Sequence, residues 1–262
     1  MSREFAGLGR APAINIAESA SVEFFIAQWK PDYVIHLAAI SNPSHPNRDE
    51  IKKINVGGTR NLLAAIEKAT HLTKKFVFAS SGSVYSASSS ALTETSHLGP
   101  STFYGESKLE SELEVLAFGD LFPVAIARPF NYTGVGQAKT FVIPKIVDHF
   151  RSSAKKITLG NTAIHRDFSD VRDVAAYYES LLVSSTNKEI VNFCSGVTTS
   201  LDSVLRDLTQ LTGREIEVEV SAALVRDEDN PRVEGDPLKL ITTLGVKQEF
   251  DMNMTLSWML NS

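Results

Sequence analysis

Cysteine is nearly absent from this 262-residue sequence. The single thiol, Cys194, permits no intrachain disulfide and no cysteine-rich metal site, which fits a reducing compartment. Basic charge is short as well, with 26 Lys and Arg against 31 Asp and Glu for a formal net charge of −5. No basic block is present to neutralise a phosphate backbone, so sequence-blind nucleic-acid binding is not expected. Long apolar runs are missing too. No stretch approaches the ~18 uncharged residues of a membrane span, and Met1 to Arg10 carry no apolar core of signal-peptide length. The expectation is a cytoplasmic protein with no membrane partner and no metal. There is no internal repeat, and the one biased segment, Ser86-Ala-Ser-Ser-Ser-Ala91, reads as a mobile loop. What remains is ordinary globular composition, 43% hydrophobic and 22% charged, in a length that suits one large or two modest domains.

Short apolar runs rich in β-branched residues alternate with amphipathic stretches. Tyr33 to Ala39, Lys75 to Ala79 and Val124 to Ala127 read as strands apolar on both faces, as in a parallel sheet covered by helices. Between them, Val22, Phe25, Ile26 and Trp29 share a helix face, as do Leu62, Leu63 and Ile66, and then Leu109, Leu113 and Leu116. Alternation of this kind predicts a doubly wound α/β sheet. After Pro129 the pattern changes. Helices are expected over 141–150, 171–183 and 201–211, with strands at 189–193 and 215–220, as in a smaller C-terminal α/β lobe. The domain expectation is a core of 1–130 and 166–196, and a lobe of 131–165 and 197–262.

Tyr104-Gly-Glu-Ser-Lys108 sets a tyrosine and a lysine four apart on a predicted helix, so both share one face. An ammonium beside a phenol favours the phenolate, which makes the tyrosine a usable proton donor and acceptor near neutral pH. Alone, the pair is a weak signal. Upstream, Phe76-Val-Phe-Ala79 runs into Ser80-Ser-Gly-Ser-Val-Tyr85, placing hydroxyls at the carboxyl end of a parallel strand, the edge where such sheets bind ligands. A serine-rich turn that satisfies its own backbone reads the same way. The order is more specific than any part: Asp32-Tyr-Val-Ile-His-Leu-Ala-Ala39, Asn55-Val-Gly-Gly-Thr59, the serine cluster, Tyr104-x-x-x-Lys108 and Arg128-Pro-Phe-Asn131 follow one another at βα spacing.

In that order the chain, from about Asn15 onward, resembles the extended short-chain dehydrogenase/reductases, the NAD-dependent epimerase/dehydratase family. The resemblance implies a truncated Rossmann doubly wound sheet with a substrate-binding lobe, NAD or NADP as cofactor, and a nucleotide-diphosphate sugar as partner. It implies Tyr104 as acid/base at a sugar oxygen, Lys108 on the nicotinamide ribose, and Ser81 hydrogen-bonded to the same sugar oxygen. Leu37, Ala38, Ala39, Asn55, Ser80 and Pro129 would line the cofactor, with Asn55 also supporting the active-site helix. The C-terminal half is similar to one branch, the GDP-4-keto-6-deoxy-mannose reductases, through Arg128 to Gln137, Phe141-Val142, Gly160-Asn161, Arg166 to Val174 and Asn192 to Gly196. There Asn131, Phe141, Val142, Arg166 and Arg226 would hold the sugar nucleotide, the arginines gripping its diphosphate as bidentate forks. His36 and His165 are expected to be structural, and Asp170 and Asp173 to cap and flank the helix beginning at Val171. A homodimer through Ile54 to Ala69 and Tyr104 to Leu116 is also implied.

Two departures matter. The family opens with a strand and a Gly-x-x-Gly-x-x-Gly turn for the cofactor pyrophosphate, whereas Gly7-Leu-Gly9 has two of the glycines and no strand before it. A βαβ unit of ~30 residues, with its acidic selector, is therefore expected to be missing, and Asn15 stands where that selector would be. Secondly, the acid/base pair of the 4,6-dehydratases is replaced by Gly82 and Ser83, which leaves elimination without its proton carriers. The expected activity is reduction at C4 of the hexose. A UDP-hexose 4-epimerase and a non-catalytic nucleotide-sugar-binding remnant are the alternatives.

Overall fold

The computed structural model describes residues 14–42, 45–224 and 230–262. Along the chain come α1 (Ser19–Trp29), β1 (Tyr33–His36), α2 (Arg48–Ile51), a π-helical stretch (Lys52–Gly57), α3 (Gly58–Lys68), β2 (Lys75–Ala79), a 3-10 turn (Gly82–Val84), α4 (Phe103–Phe118) and β3 (Val124–Pro129). Then follow β4 (Asn131–Thr133), α5 (Val142–Arg151), β5 (Lys156–Leu159), β6 (His165–Asp170), α6 (Val171–Val183), β7 (Glu189–Phe193), β8 (Thr198–Ser200) and α7 (Leu201–Thr212). The chain closes with β9 (Glu217–Val220), β10 (Arg232–Val233), α8 (Leu238–Leu244) and α9 (Met252–Leu260). Among the described residues no helix is long and apolar enough to cross a membrane, and no His, Cys, Asp or Glu cluster could hold a metal ion.

Four strands form the main sheet in the order β1-β2-β3-β7, and β1, β2 and β3 pair in parallel. This is a Rossmann-like α/β fold. Central position explains the texture of the strands. Every residue of β2 and β3 is buried, whereas β1 stands at the edge and leaves Tyr33 45% exposed. The strand expected over 33–39 therefore stops at His36, and Leu37, 61% exposed, already lies beyond it. Among the described residues no strand precedes Tyr33, and Gly7-Leu-Gly9 lies outside them.

Two compact units divide the chain: 1–84, 100–127 and 181–190 form the first, and 85–99, 128–180 and 191–262 the second. In the first, α1 and α3 cover the sheet with Val22, Phe25, Ile26, Leu62, Leu63 and Ile66 around Phe76, Phe78 and Ile126. Helix α4 differs from the pattern expected of it. Its buried face carries Gly105, Ser107, Lys108, Ser111, Glu112 and Val115, while Leu113 is 65% exposed. Leu116 packs at the margin of the core and Leu109 is half-buried, but the fully buried face is mostly polar, because those polar residues have partners inside the unit that offset their dehydration.

In the second unit β6 pairs in parallel with β4 and β10 and antiparallel with β8. That pairing groups 166–180 with this unit and not with the core expected from the sequence. Its apolar centre comprises Ile143, Ile146, Phe150, Leu159, Val204, Leu208 and Leu256 from α5, β5, α7 and α9. The serine-rich stretch after Tyr85 is irregular but tied at both ends, by Ser86 N–H to His97 O at 3.0 Å and by Leu92 N–H to Glu234 O at 2.8 Å.

Candidate active site

In the first unit the carboxyl end of β2 and the first turns of α4 meet closely. Thr102 caps the helix by accepting from Gly105 N–H at 3.1 Å. A Cβ on Gly105 would stand 2.4 Å from the Ser83 carbonyl oxygen, so only glycine lets Tyr104 come this close to the turn after Ser81. Ser81 is half-buried, and its hydroxyl oxygen accepts from Ser83 N–H at 3.1 Å, so it caps the turn as well as standing at the sheet edge. Tyr104 is half-buried, while Lys108 is 3% exposed. The Lys108 amine donates to the Ala79 carbonyl at 2.7 Å and lies 4.8 Å from the Phe78 ring centroid and 5.9 Å from that of Tyr104. Burial pulls its pKa down to about 7, with the charge of Glu112 opposing the fall.

Asn55 occupies the π-helical stretch and makes a two-point clamp on one peptide: Ile40 N–H donates to its Oδ1 at 2.8 Å, and its Nδ2 donates to Ile40 O at 3.1 Å. The same Nδ2 donates to Ser107 Oγ at 2.9 Å, and Ser107 in turn donates to the Tyr104 carbonyl at 2.8 Å. The side chain thus locks the loop after β1 to the helix that carries Tyr104 and Lys108. Thr59 spends its proton on Asn55 O at 2.6 Å, so His36, 3.0 Å away through Nε2, must be the donor to Thr59 and is neutral with its proton on Nε2. Burial, and next the Lys108 cation, depress His36 to about 3.

That depression makes a prediction. A histidine whose folded pKa lies below its unfolded value gives stability that is fully present above pH 6.5 and drains as the pH falls toward 3. The window lies below the Lys108 midpoint. Between pH 6.5 and 4.5 the unfolding free energy from urea titration should drop by roughly 2 kcal/mol through this residue, and His36→Gln, which keeps a donor to Thr59 but cannot titrate, should flatten the slope.

Of the other residues singled out in the sequence, Leu37 and Ala38 are exposed just past β1, and Ala39 is half-buried. Ser80 is 3% exposed, with its hydroxyl turned onto Glu112. Glu112, Ser107, Ser111 and Thr59 belong to this network and were not singled out in the sequence. The one visible signal was Glu112, four residues past Lys108.

The second unit holds the remaining candidates. Pro129 is buried at the end of β3. Asn131 is exposed on β4 and donates to the Asp167 carbonyl at 3.4 Å. Phe141, 47% exposed, and Val142 open α5. Arg166 is half-buried on β6 and donates to Asn230 O at 2.8 Å. Arg226 lies outside the described residues. Asp170 accepts the Arg172 N–H at 2.8 Å and its guanidinium, which packs 3.7 Å from the Phe250 ring and 4.0 Å from that of Trp258. Asp173 accepts from Glu249 and Phe250 N–H, both at 3.1 Å, so it fastens a distant loop besides flanking the helix start. His165 is half-buried on β6.

A serine turn, an i, i+4 Tyr-Lys pair on buried glycine and an Asn clamp behind it stand together on one sheet edge. Over residues 6–194 the sequence matches the NAD dependent epimerase/dehydratase family. The chain belongs to that family. It is 29% identical over 251 residues to the GDP-6-deoxy-D-talose 4-dehydrogenase of Aggregatibacter actinomycetemcomitans, covering 95% of this chain and 85% of that protein. It is 32% identical over 238 residues to the GDP-6-deoxy-D-mannose reductase of Pseudomonas aeruginosa, covering 86% and 78%. The solved structure of RMD from Pseudomonas aeruginosa complexed with NADPH matches with a TM-score of 0.90 and 27% identity, over 98% of this chain and 86% of that one.

Proposed function

We propose that this family member is an NAD(P)-dependent oxidoreductase acting at C4 of a nucleotide-linked hexose, most like a GDP-4-keto-6-deoxy-mannose reductase. The observation that carries the reading is the buried Lys108 amine. It spends one of three donors on the Ala79 carbonyl and stands beside a half-buried Tyr104, as a group poised for a cofactor ribose and a phenol would be. Two relatives whose names carry a GDP-linked 6-deoxyhexose support the substrate class.

The residues of the first unit fit the nicotinamide end of the cofactor: Lys108 for the ribose, Leu37, Ala38 and Ala39 along the open edge after β1, and Asn55 as the support of that loop. A bound nicotinamide supplies the hydride. Tyr104 gives its proton to the C4 oxygen as the carbonyl becomes a hydroxyl, Ser81 hydrogen-bonds that oxygen, and the Lys108 amine stands beside the phenol. Asn131, Phe141, Val142, Arg166 and Arg226 hold the nucleotide sugar. A reductase consumes one reduced cofactor per sugar, whereas an epimerase, the UDP-hexose reading, consumes none, so product analysis against cofactor oxidation decides between them. A well-folded chain whose Trp29 and Trp258 fluorescence shows no saturable quenching by either nicotinamide dinucleotide would overturn the proposal in favour of a non-catalytic binder.

Arg166 tests the sugar-nucleotide half. Its guanidinium is held by the Asn230 carbonyl at 2.8 Å and the His165 carbonyl at 2.9 Å, and a charge-assisted diphosphate contact is worth on the order of 1.5–3 kcal/mol. Arg166→Ala should weaken nucleotide-sugar binding by calorimetry roughly 10- to 150-fold with cofactor affinity unchanged. Lysine there should recover only part, because the fork is lost.

We further propose a homodimer through the helices of Ile54 to Ala69 and Tyr104 to Leu116. Leu113, 65% exposed on α4, is an apolar residue left for a partner. Light scattering at micromolar concentration should give twice the chain mass of 28.7 kDa, and Leu113→Glu should return a monomer.

A further inference from the structure

Glu112 lies one helical turn beyond Lys108 and is 2% exposed. Carboxylates are almost never buried this deeply without a purpose-built partner. One partner is Ser80, 3% exposed, whose hydroxyl donates to Glu112 Oε1 and whose N–H is pinned to Ala127 O at 2.8 Å. Two consecutive residues at the end of β2 therefore receive two consecutive turns of α4: the Ala79 carbonyl takes the Lys108 amine, and the Ser80 hydroxyl takes the Glu112 carboxylate. With Tyr104 one turn earlier, the three side chains run i, i+4, i+8 from half-buried to fully buried.

We propose that Glu112, held by Ser80, is the buried counter-charge that keeps Lys108 an ammonium and so sets the pH range over which Tyr104 exchanges its proton. An amine in this setting tends to lose its proton. Burial drives Lys108 down, and the charge of Glu112 is the influence that opposes the drop. The other groups facing the amine do not take that role. His36, from β1, is neutral above pH 3, and the Phe78 ring and Ala79 carbonyl, from β2, are uncharged. Tyr104 on α4 itself is the group being tuned. Glu112 is thus a positioning residue, acting through Lys108, and the sequence already shows it at a fixed step behind the Tyr-Lys pair.

The inference rests on Tyr104 and Lys108 being the proton-transferring pair of the proposed function, but its test needs neither cofactor nor substrate. The full chain is labelled with ε-13C lysine, the Lys108 resonance is identified by its loss in Lys108→Met, and its midpoint is followed by NMR from pH 5 to 11. Glu112→Gln should lower that midpoint by about one pH unit or more, and Ser80→Ala should lower it by a smaller step. Lys75, at the opposite end of β2 and bonded to Thr186 through its amine, should not move. An unmoved Lys108 midpoint in folded Glu112→Gln overturns the proposal, and if that variant fails to fold, an unmoved midpoint in Ser80→Ala does so. A shifted midpoint in a chain that turns over no sugar would leave the counter-charge standing and sink the proposed function.

Discussion

Replacing Tyr104 by phenylalanine should lower turnover by about 10²- to 10⁴-fold, the usual contribution of a positioned acid or base, while nucleotide-sugar affinity changes little. The phenol is half-buried beside a buried lysine, and Phe keeps its ring and volume while removing the one transferable proton. Backbone placement should survive, since Ser107 bonds the Tyr104 carbonyl and not its side chain. Steady-state turnover and calorimetric binding together check this: equal losses in both would mean that the helix has moved. Ser81→Ala should cost a smaller factor, because it removes one hydrogen bond to the reacting oxygen and leaves the acid in place. Retained activity in Tyr104→Phe would end the assignment of proton transfer to this residue.

Asp167→Ala should destabilise the protein by about 3–5 kcal/mol, as expected when several buried donors at about 1–3 kcal/mol each lose their acceptor at once. Asp167 is 0% exposed, and its carboxylate collects Ser195 N–H at 2.9 Å, Ser195 O–H at 2.6 Å, Gly196 N–H at 3.0 Å and Gly235 N–H at 3.3 Å. Burial pushes its pKa up while these four donors pull it back. Alanine would take the acceptor from the Ser195, Gly196 and Gly235 N–H groups, while the Ser195 hydroxyl keeps the Val197 carbonyl at 3.1 Å. Asparagine should rescue little, since its amide N–H groups would face N–H donors on Gly196 and Gly235. Urea unfolding followed by circular dichroism reads the loss, and a change below about 1 kcal/mol would show that water satisfies the loop in the carboxylate's place.

Strand and helix positions were legible in the sequence wherever burial is simple. Phe76-Val-Phe-Ala79 is apolar on both faces because it is central in the sheet, and it emerges as β2 with every residue buried. Helix α7, expected over 201–211, spans Leu201–Thr212, between the Ser200 cap and Gly213 in the left-handed region. Helix α4 was legible as a helix but not in its orientation. Its leucines suggested an apolar inward stripe, and the structure buries Ser107, Lys108, Ser111 and Glu112 instead. Periodicity counts apolar residues, and a polar face that finds its partners on β2 and the π-helical stretch is invisible to it. For the same reason nothing in the sequence marks Asp167, whose partners lie up to 68 positions away.

By itself the sequence determined the alternation that builds a parallel sheet, the edge at which Ser81 and Tyr104 stand, and the pairing of Tyr104 with Lys108, because those depend on spacing along one or two neighbouring elements. The tertiary structure alone decided which face of α4 is inside, that Asn55 ties the loop after β1 to the active-site helix, that His36 is held neutral, and that 166–180 joins the second unit's strands. Each of these turns on whether a polar group, once dehydrated, meets a partner from a distant part of the chain, and that is a property of the folded arrangement, not of local residue order.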